Sequence, residues 1–577
     1  MNLVSQNIGI AMNNCSLINA LSRIVGKKNI AQTEAATEHY RTGFRSGSGN
    51  ALAVVFPQTL IQQWQIIQCC VDANTIMIMQ AANTGLTEGS TPSGNDYDRD
   101  IIIINTTRLS GLILLNNAEQ VISLPGATLH QLEETLRPYG RAPHSVIGSS
   151  CIGASITGGI ANNSGGALVK RGPAYTELSL YAQVTAKGEL KLVNELGIDL
   201  GNTPIEILTN LENNNFPTHD APMPNQLASD KEYDQRIRDI NAPTPARYNA
   251  DKRRLYGASG CAGKVAIFAV RLDTFAIPKR EKIFYIGTNN PDDLTKLRHD
   301  ILQKFTHLPD VAEYMHRDTF DIAETYGKDT TIMIDKLGTK HLPKLFAYKG
   351  KITALLDRLP LIPKNLPDKC LQSLSRCFKN PLPKRLLNFR DRFEHHLILK
   401  VSDSAIEETL NYFYYASSFA NDNTENNYII CNQNEANKAL LHRFAAAGAA
   451  VRYQTVHDKH VEDILALDIA LPRNEKNWRE VLPESIKKQL IHTLYYGHFL
   501  CHVFHQDYIV KKGVDVRALK KKILQELDSR GAKYPAEHNV GHLYEAENDL
   551  KAFYKKLDPT NSFNPGIGHT SKRRNCC

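Results

Sequence analysis

The sequence predicts an α+β protein. Three observations carry that expectation. Short β-branched runs alternate with amphipathic helices over the first 280 residues. Two long glycine-rich stretches interrupt them. Strand and helix patterning returns after Glu394, once a proline-rich basic segment has passed. A chain of 577 residues has room for about two to four domains with real cores.

Taken in order, MNLVSQNIGIAMNNCSLINALSRIVG lacks a charged start followed by a sustained apolar run, so an ordinary helix is expected rather than a signal peptide. Ala53–Phe56, Thr75–Met79 and Ile101–Ile104 read as strands, and Leu60–Cys70 as a helix. Val121–Leu124 is a further strand, leading through Pro125-Gly126 into a helix at Leu129–Leu136. From Lys336 to Arg392 prolines recur, basic residues outnumber acidic ones, and bulky apolar residues lie between them. That texture suits a surface excursion, either a solvated helical insert or a contact with an anionic lipid surface. Nucleic acid is not expected, because no reading module accompanies the charge.

Hydrophobic content of 42% and charged content of 22% are those of a folded protein, and a net charge of +8 argues only weakly for an anionic partner. The 11 cysteines form no framework and no paired CxxC sequences, which fits a reducing compartment. No stretch reaches the roughly 18 apolar residues that span a bilayer, so any membrane contact is expected to be peripheral. Cys576-Cys577 end a basic tail without a CaaX pattern, and whether they are modified stays open.

The glycine-rich stretches are AANTGLTEGS at Ala81–Ser90 and GSSCIGASITGGIANNSGG at Gly148–Gly166. Small residues let backbone N–H groups approach a ligand, and consecutive amides can hold a pyrophosphate without a side-chain cation. Tight turns in a sheet protein are the bland alternative. No strand is followed by GxGxxG, and GASGCAGKV lacks Ser or Thr after Lys264, so neither a nicotinamide nor an NTPase site is expected.

The succession AANTGLTEGSTPSGNDYDRD, PHSVIGSSCIGASITGGIANNSGG and SGCAGKVAIFAVRLD resembles the FAD-binding half of the vanillyl-alcohol oxidase type flavoproteins. Within that family the chain looks most like the respiratory enzymes that oxidise D-lactate and reduce quinone. The likeness runs on through YYGHFLCHVFHQDYIVKKGVDV, YPAEHNVGHLY and DPTNSFNPGIG. It implies a two-lobed FAD-binding fold, with residues 1–280 as the FAD lobe, 281–520 as a substrate or cap lobe and 521–577 returning to the FAD lobe, placed peripherally on the cytoplasmic face of a bacterial inner membrane.

By that resemblance, Ala81, Ala82, Asn83, Thr84, Gly85, Gly89 and Ser90 wrap the FAD pyrophosphate. Gly148, Ser155 and Gly165 line the cofactor, and Ile267 meets its adenine end through the backbone. The first loop holds neither His nor Cys, implying non-covalent FAD. His498, His505 and Glu537 match the divalent-metal ligands of related hydroxy-acid dehydrogenases. In place of the usual Gly-Asp-Gly-Asn between the histidines stands Phe-Leu-Cys-His-Val-Phe, so the metal stays open beside two hydrogen-bonded histidines. The resemblance also makes His538 the base for the hydroxyl proton, Arg443 the carboxylate anchor, and flavin N5 the hydride acceptor. A histidine suits proton transfer near neutral pH, and a guanidinium suits a carboxylate. The rivals are another D-2-hydroxy acid dehydrogenase, such as one for D-2-hydroxyglutarate with a soluble acceptor, and a non-catalytic flavin-binding protein of the membrane surface.

Overall fold

The computed structural model describes residues 14–144, 153–337, 365–415 and 427–575. The first lobe joins two sheets. One has the order β1 (Ile30–Ala31), β2 (Ala53–Val55), β4 (Ile101–Asn105), β3 (Ile76–Gln80), with β2 and β3 parallel to β4. The unbroken run Ile101–Ile104 is what a parallel strand covered on both faces requires. The other is antiparallel, in the order β5 (Leu112–Leu115), β6 (Gln120–Ser123), β10 (Ala266–Asp273), β8 (Ser179–Val184), β9 (Leu190–Asn194). The helices Asn14–Val25 and Leu60–Asp72 share one apolar core with both sheets. A small ribbon pairs β7 (Arg141–Ala142) with β11 (Phe275–Ala276).

The expected strands and helices of this lobe lie within two residues of their observed ends. Thr59 and Thr128 fix two helix starts, their side chains accepting from Gln62 N and Gln131 N.

The cap is one antiparallel seven-stranded sheet. Its order is β15 (Tyr428–Ile430), β12 (Glu281–Thr288), β14 (His395–Ser402), β13 (Val311–His316), β17 (Leu490–His498), β18 (Val503–Lys511), β16 (Val461–Ala470). The helix Gln433–Val456, started by a capping box of Asn432 and Glu435, packs its alanines on one face against Met315, Leu494 and Ile509. The helix Val516–Ser529 packs Leu519, Ile523 and Leu527 into the core of the other face. The boundary expected at 520/521 therefore falls inside a cap helix, and the chain crosses back beyond it. The return is tight: Met77 N donates to Ser562 O and Asn564 N to Met77 O, both at 2.9 Å. Buried Lys264 donates to Asn561 Oδ1 and Phe563 O at 2.7 and 3.0 Å.

Of the basic segment 336–392, residues 338–364 lie outside the described residues. The part Lys384–Arg392 is no surface excursion. Its helix drives Leu386 and Phe389 into the core beside Tyr285 and Ile398, and Arg390 grips Asp321 with two 2.6 Å bonds. Leu374 and Phe378 remain exposed. The described cysteines are all free, Cys576-Cys577 lie outside the described residues, and no helix among those described is long and apolar enough to cross a membrane.

Candidate active site

The pleat of the cap sheet collects the polar residues. Glu313 lies opposite His498, Tyr496 opposite His505, and Asp468 opposite His505, so β13, β17, β18 and β16 each send a polar side chain to one face. Glu537 reaches the same place from the segment after Val516–Ser529. His498 Nδ1 is 2.5 Å from Glu313 Oε1, and its Nε2 is 3.2 Å from Glu537 Oε2. His505 Nε2 is 3.8 Å from the same oxygen. Each carboxylate also has its own guanidinium: Arg443 Nη2 lies 2.7 Å from Glu313 Oε2, and Arg247 Nη2 2.6 Å from Glu537 Oε1.

This arrangement sets the protonation states. Burial alone would depress His498, but Glu313 and Glu537 outweigh it and push it up to about 10. His505 goes the other way: burial, only partly offset by Glu537, pushes it down to about 3. Burial would raise Glu537, yet His498 and Arg247 hold it well below the usual carboxylate range; Arg443 and His498 also lower Glu313 against its burial. Burial raises Asp468 to about 6, against the pull of His538.

His538 is one-third exposed, 3.7 Å from Asp468 Oδ2. Asp468 also accepts from Glu537 N at 2.8 Å, fixing the Glu537-His538 turn. An imidazole backed by a buried carboxylate and open on its other side is an arrangement able to take a proton. Arg443 is brought to this site, but its guanidinium is already committed to Glu313 and lies over the Tyr496 ring, 4.5 Å from its centroid.

His498, His505 and Glu537 offer one ligand atom each, all within 4.8 Å of one another. The chemistry of the set fits a divalent ion, since the second ring nitrogen of His498 is held by a carboxylate.

The loop after β3 fits a pyrophosphate. Asn83 and Glu88 take positive φ, and among the described residues no backbone N–H from Ala82 to Gly89 donates to a protein acceptor. Asn83 braces the loop, donating to Thr42 O and accepting from Ser90 Oγ, both at 2.8 Å, while Gly85 opens on free space. Ser155 caps the short helix Ile156–Ala161, its Oγ accepting from Gly158 N. Gly148 lies outside the described residues. Ile267 sits at a bulge of β10, its carbonyl accepting from Gln63 Nε2 at 3.0 Å. Gly165 packs directly on Glu537, and Gly89 on Asn539, where a Cβ would stand 2.1 Å from Glu537 Oε1 and 2.6 Å from Asn539 Nδ2. Those two contacts join the glycine-rich loops to the Glu537-His538 turn.

Sequence reasoning missed Glu313, Asp468 and Arg247. Glu313 in VAEYMH and Asp468 in ALDIAL carried a usable signal, an acid inside an otherwise apolar strand. Arg247 carried none.

Two family models match, "FAD binding domain" over residues 51–194 and "D-lactate dehydrogenase, membrane binding" over residues 283–576. The quinone-dependent D-lactate dehydrogenase of Escherichia coli (strain K12) is 56% identical over 566 residues, 97% of this chain and 98% of its own. The chain belongs to the quinone-dependent D-lactate dehydrogenase family. Its relative of that name from Haemophilus influenzae is 55% identical over 97% of this chain and 98% of its own. Membership makes the protein an FAD-dependent oxidoreductase with a membrane-binding region. Among solved structures, 4-ethylphenol oxidase from Gulosibacter chungangensis and p-cresol methylhydroxylase each superpose with a TM-score of 0.56. Their identities are 11% and 10%, over 96% of this chain and 97% of theirs. They place the fold in the vanillyl-alcohol oxidase type.

Proposed function

We propose that this enzyme oxidises D-lactate to pyruvate and delivers the electrons to membrane quinone. The observation that carries the reading is the buried Asp468 behind a partly exposed His538, beside the Glu537–His498–Glu313 chain of charges. His538 takes the hydroxyl proton at Nδ1, the ring nitrogen turned away from Asp468, while Asp468, 3.7 Å from Nε2, orients the ring and balances the charge it gains. Glu537, His498 and His505 surround the substrate oxygen, either directly or by holding a divalent ion that polarises it. Arg247 and Arg443 keep Glu537 and Glu313 ionised and in place. Ala81–Gly85, Gly89, Ser90, Ser155, Gly165 and Ile267 hold FAD without a covalent bond. Bound FAD supplies the acceptor for the hydride leaving Cα, at N5, and relays the electron pair.

The test is anaerobic: the flavin absorbance of the purified holoprotein is followed as D-lactate, L-lactate and D-2-hydroxyglutarate are added in turn. Bleaching by D-lactate alone is expected. Bleaching by D-2-hydroxyglutarate in its place reassigns the substrate, and a flavin inert to all three removes the enzyme reading.

The same proposal puts the protein on the cytoplasmic face of the membrane, held by anionic lipid through the basic and apolar residues of the sequence between Lys336 and Lys379, where Leu374 and Phe378 are exposed. Co-sedimentation with anionic vesicles should weaken as salt rises, because screening shortens the reach of the charges. Equal binding to neutral vesicles contradicts it.

A further inference from the structure

A hydroxy acid enters as an anion, yet the two buried guanidiniums of the site are already paired, Arg443 with Glu313 and Arg247 with Glu537. A third arginine stands on the opposite lobe, on a tip tied to the loop beside the site. After the helix Glu34–Arg41 the chain turns back on itself: Thr42 bridges to Ser48, and Gly43 N donates to Gly47 O at 2.9 Å. Both glycines are required there. A Cβ on Gly43 would lie 2.1 Å from Ser46 O, and Gly47 has φ +79° with Glu88 packed over it. The tip presents two large side chains, Phe44, which is 54% exposed, and Arg45.

This tip is held to the loop that fits the pyrophosphate. Ser46 Oγ donates to Glu88 Oε1 at 2.7 Å, Asn83 Nδ2 to Thr42 O at 2.8 Å, and Gln80 Nε2 to Tyr40 O at 2.7 Å. That loop in turn holds the Glu537-His538 turn, through Gly89 against Asn539 and through His542 N donating to Thr87 O at 2.9 Å. Arg45 is close enough to the cap for its charge to act on Asp507, Tyr496 and Tyr544. Asp507 is two residues from His505 on the same face of β18, and it accepts from Tyr496 OH at 2.8 Å. Among the described residues, Arg45 itself has neither an ion pair nor a hydrogen bond.

We propose that Arg45, carried on the Gly43–Gly47 tip of the FAD-binding lobe, is the residue that grips the carboxylate of the incoming hydroxy acid, so that the substrate is bound across the two lobes. A guanidinium on a braced loop gives two parallel N–H donors to a planar carboxylate. The inference rests on the proposed oxidation of a hydroxy acid, and it moves the anchoring role from Arg443 to Arg45. Arg443 then positions Glu313 and His498.

The holoenzyme and its Arg45→Met, Arg45→Lys and Arg137→Met variants test it. Arg137 is exposed and paired only to Glu134, so its loss controls for net charge. Two dissociation constants are read for each protein, D-lactate from anaerobic flavin bleaching and oxalate, a carboxylate that need not react, from calorimetry. Arg45→Met should weaken both by about tenfold to a hundredfold, with flavin content unchanged. Arg45→Lys should recover part of the loss, and Arg137→Met should show none. Bleaching of Arg45→Met by D-lactate at the wild-type dissociation constant overturns the role of Arg45 and leaves the proposed reaction standing. Wild type that binds oxalate through Arg45 but is never bleached by D-lactate overturns the reaction and leaves the anion site. Wild type that neither binds oxalate nor bleaches overturns both.

Discussion

A single methyl group should test whether Gly165 serves the Glu537 network. Alanine at 165 places its Cβ 2.1 Å from Oε1, 2.6 Å from Cδ and 2.8 Å from Cγ of Glu537, so the whole carboxylate has to leave. Gly165 does not use a positive φ, and the backbone itself accepts alanine. What is lost is the 2.6 Å bond to Arg247 and the 3.2 Å contact with His498, both inside the protein. Removing one partner from a buried ion pair costs about 3–5 kcal/mol, and that sets the expected loss. Gly159→Ala is the control from the same stretch: its Cβ meets only the Ala174 methyl, at 3.7 Å, within the helix Ile156–Ala161. Alanine there should be neutral or stabilise by about 0.5–1 kcal/mol. Urea unfolding at fixed FAD concentration reads both. In a Glu537→Ala background the clash disappears, and Gly165→Ala should then cost less than about 1 kcal/mol. A Gly165→Ala protein as stable as Gly159→Ala, or an undiminished penalty in the Glu537→Ala background, would show that Glu537 is not what requires glycine at 165.

Other consequences can be read with the same methods. Glu313→Gln takes the shared counter-charge from Arg443 and His498 and should lower stability by about 3–5 kcal/mol. Adding Arg443→Met should cost less than the two single losses summed, because the stranded cation is then gone. Burial holds His395, His396 and His442 neutral, each pushed down to about 3. Below the ordinary histidine value near 6.5 the unfolded chain therefore binds protons that the folded one refuses. Stability should fall as pH drops from about 6.5, by roughly 1.4 kcal/mol per unit for each histidine. His442→Leu should make that acid slope shallower, and a flat urea midpoint between pH 6.5 and about 4.5 contradicts the assignment. If a divalent ion sits on His498, His505 and Glu537, a chelator should slow flavin reduction without releasing flavin, and Glu537→Gln should abolish metal uptake measured by atomic absorption. An unchanged rate after chelation leaves the two histidines as hydrogen-bonding groups.

Local pattern was enough for the elements read in the first lobe as far as Leu136. The alternation at Ala53–Phe56, Leu60–Cys70 and Ile101–Ile104, with threonine before the helices, set element type and ends close to those observed. Strands and helices there are fixed by side-chain period and capping, which are properties of neighbours in sequence. The resemblance to related hydroxy-acid dehydrogenases marked His498, His505 and Glu537-His538, which converge at the cap sheet. The basic texture of 384–392 misled, because charge on a helix says nothing about what its apolar side meets; Leu386 and Phe389 meet the cap core.

Through its resemblance, the sequence by itself marked the chain as an α+β flavoprotein with its FAD-binding domain in the N-terminal half, and singled out His498, His505, Glu537 and His538 as candidates near its C-terminus. Tertiary structure alone decided how the site is charged. Glu313 and Asp468 come from strands about 150 residues apart, and Arg443 and Arg247 come from a cap helix and a first-lobe loop. The carboxylates Glu313 and Glu537 drive His498 up while burial drives His505 down, although both are the same residue on adjacent strands. The physical reason is that a pKa depends on burial and on charges within a few ångströms, and both are set by folding rather than by order along the chain.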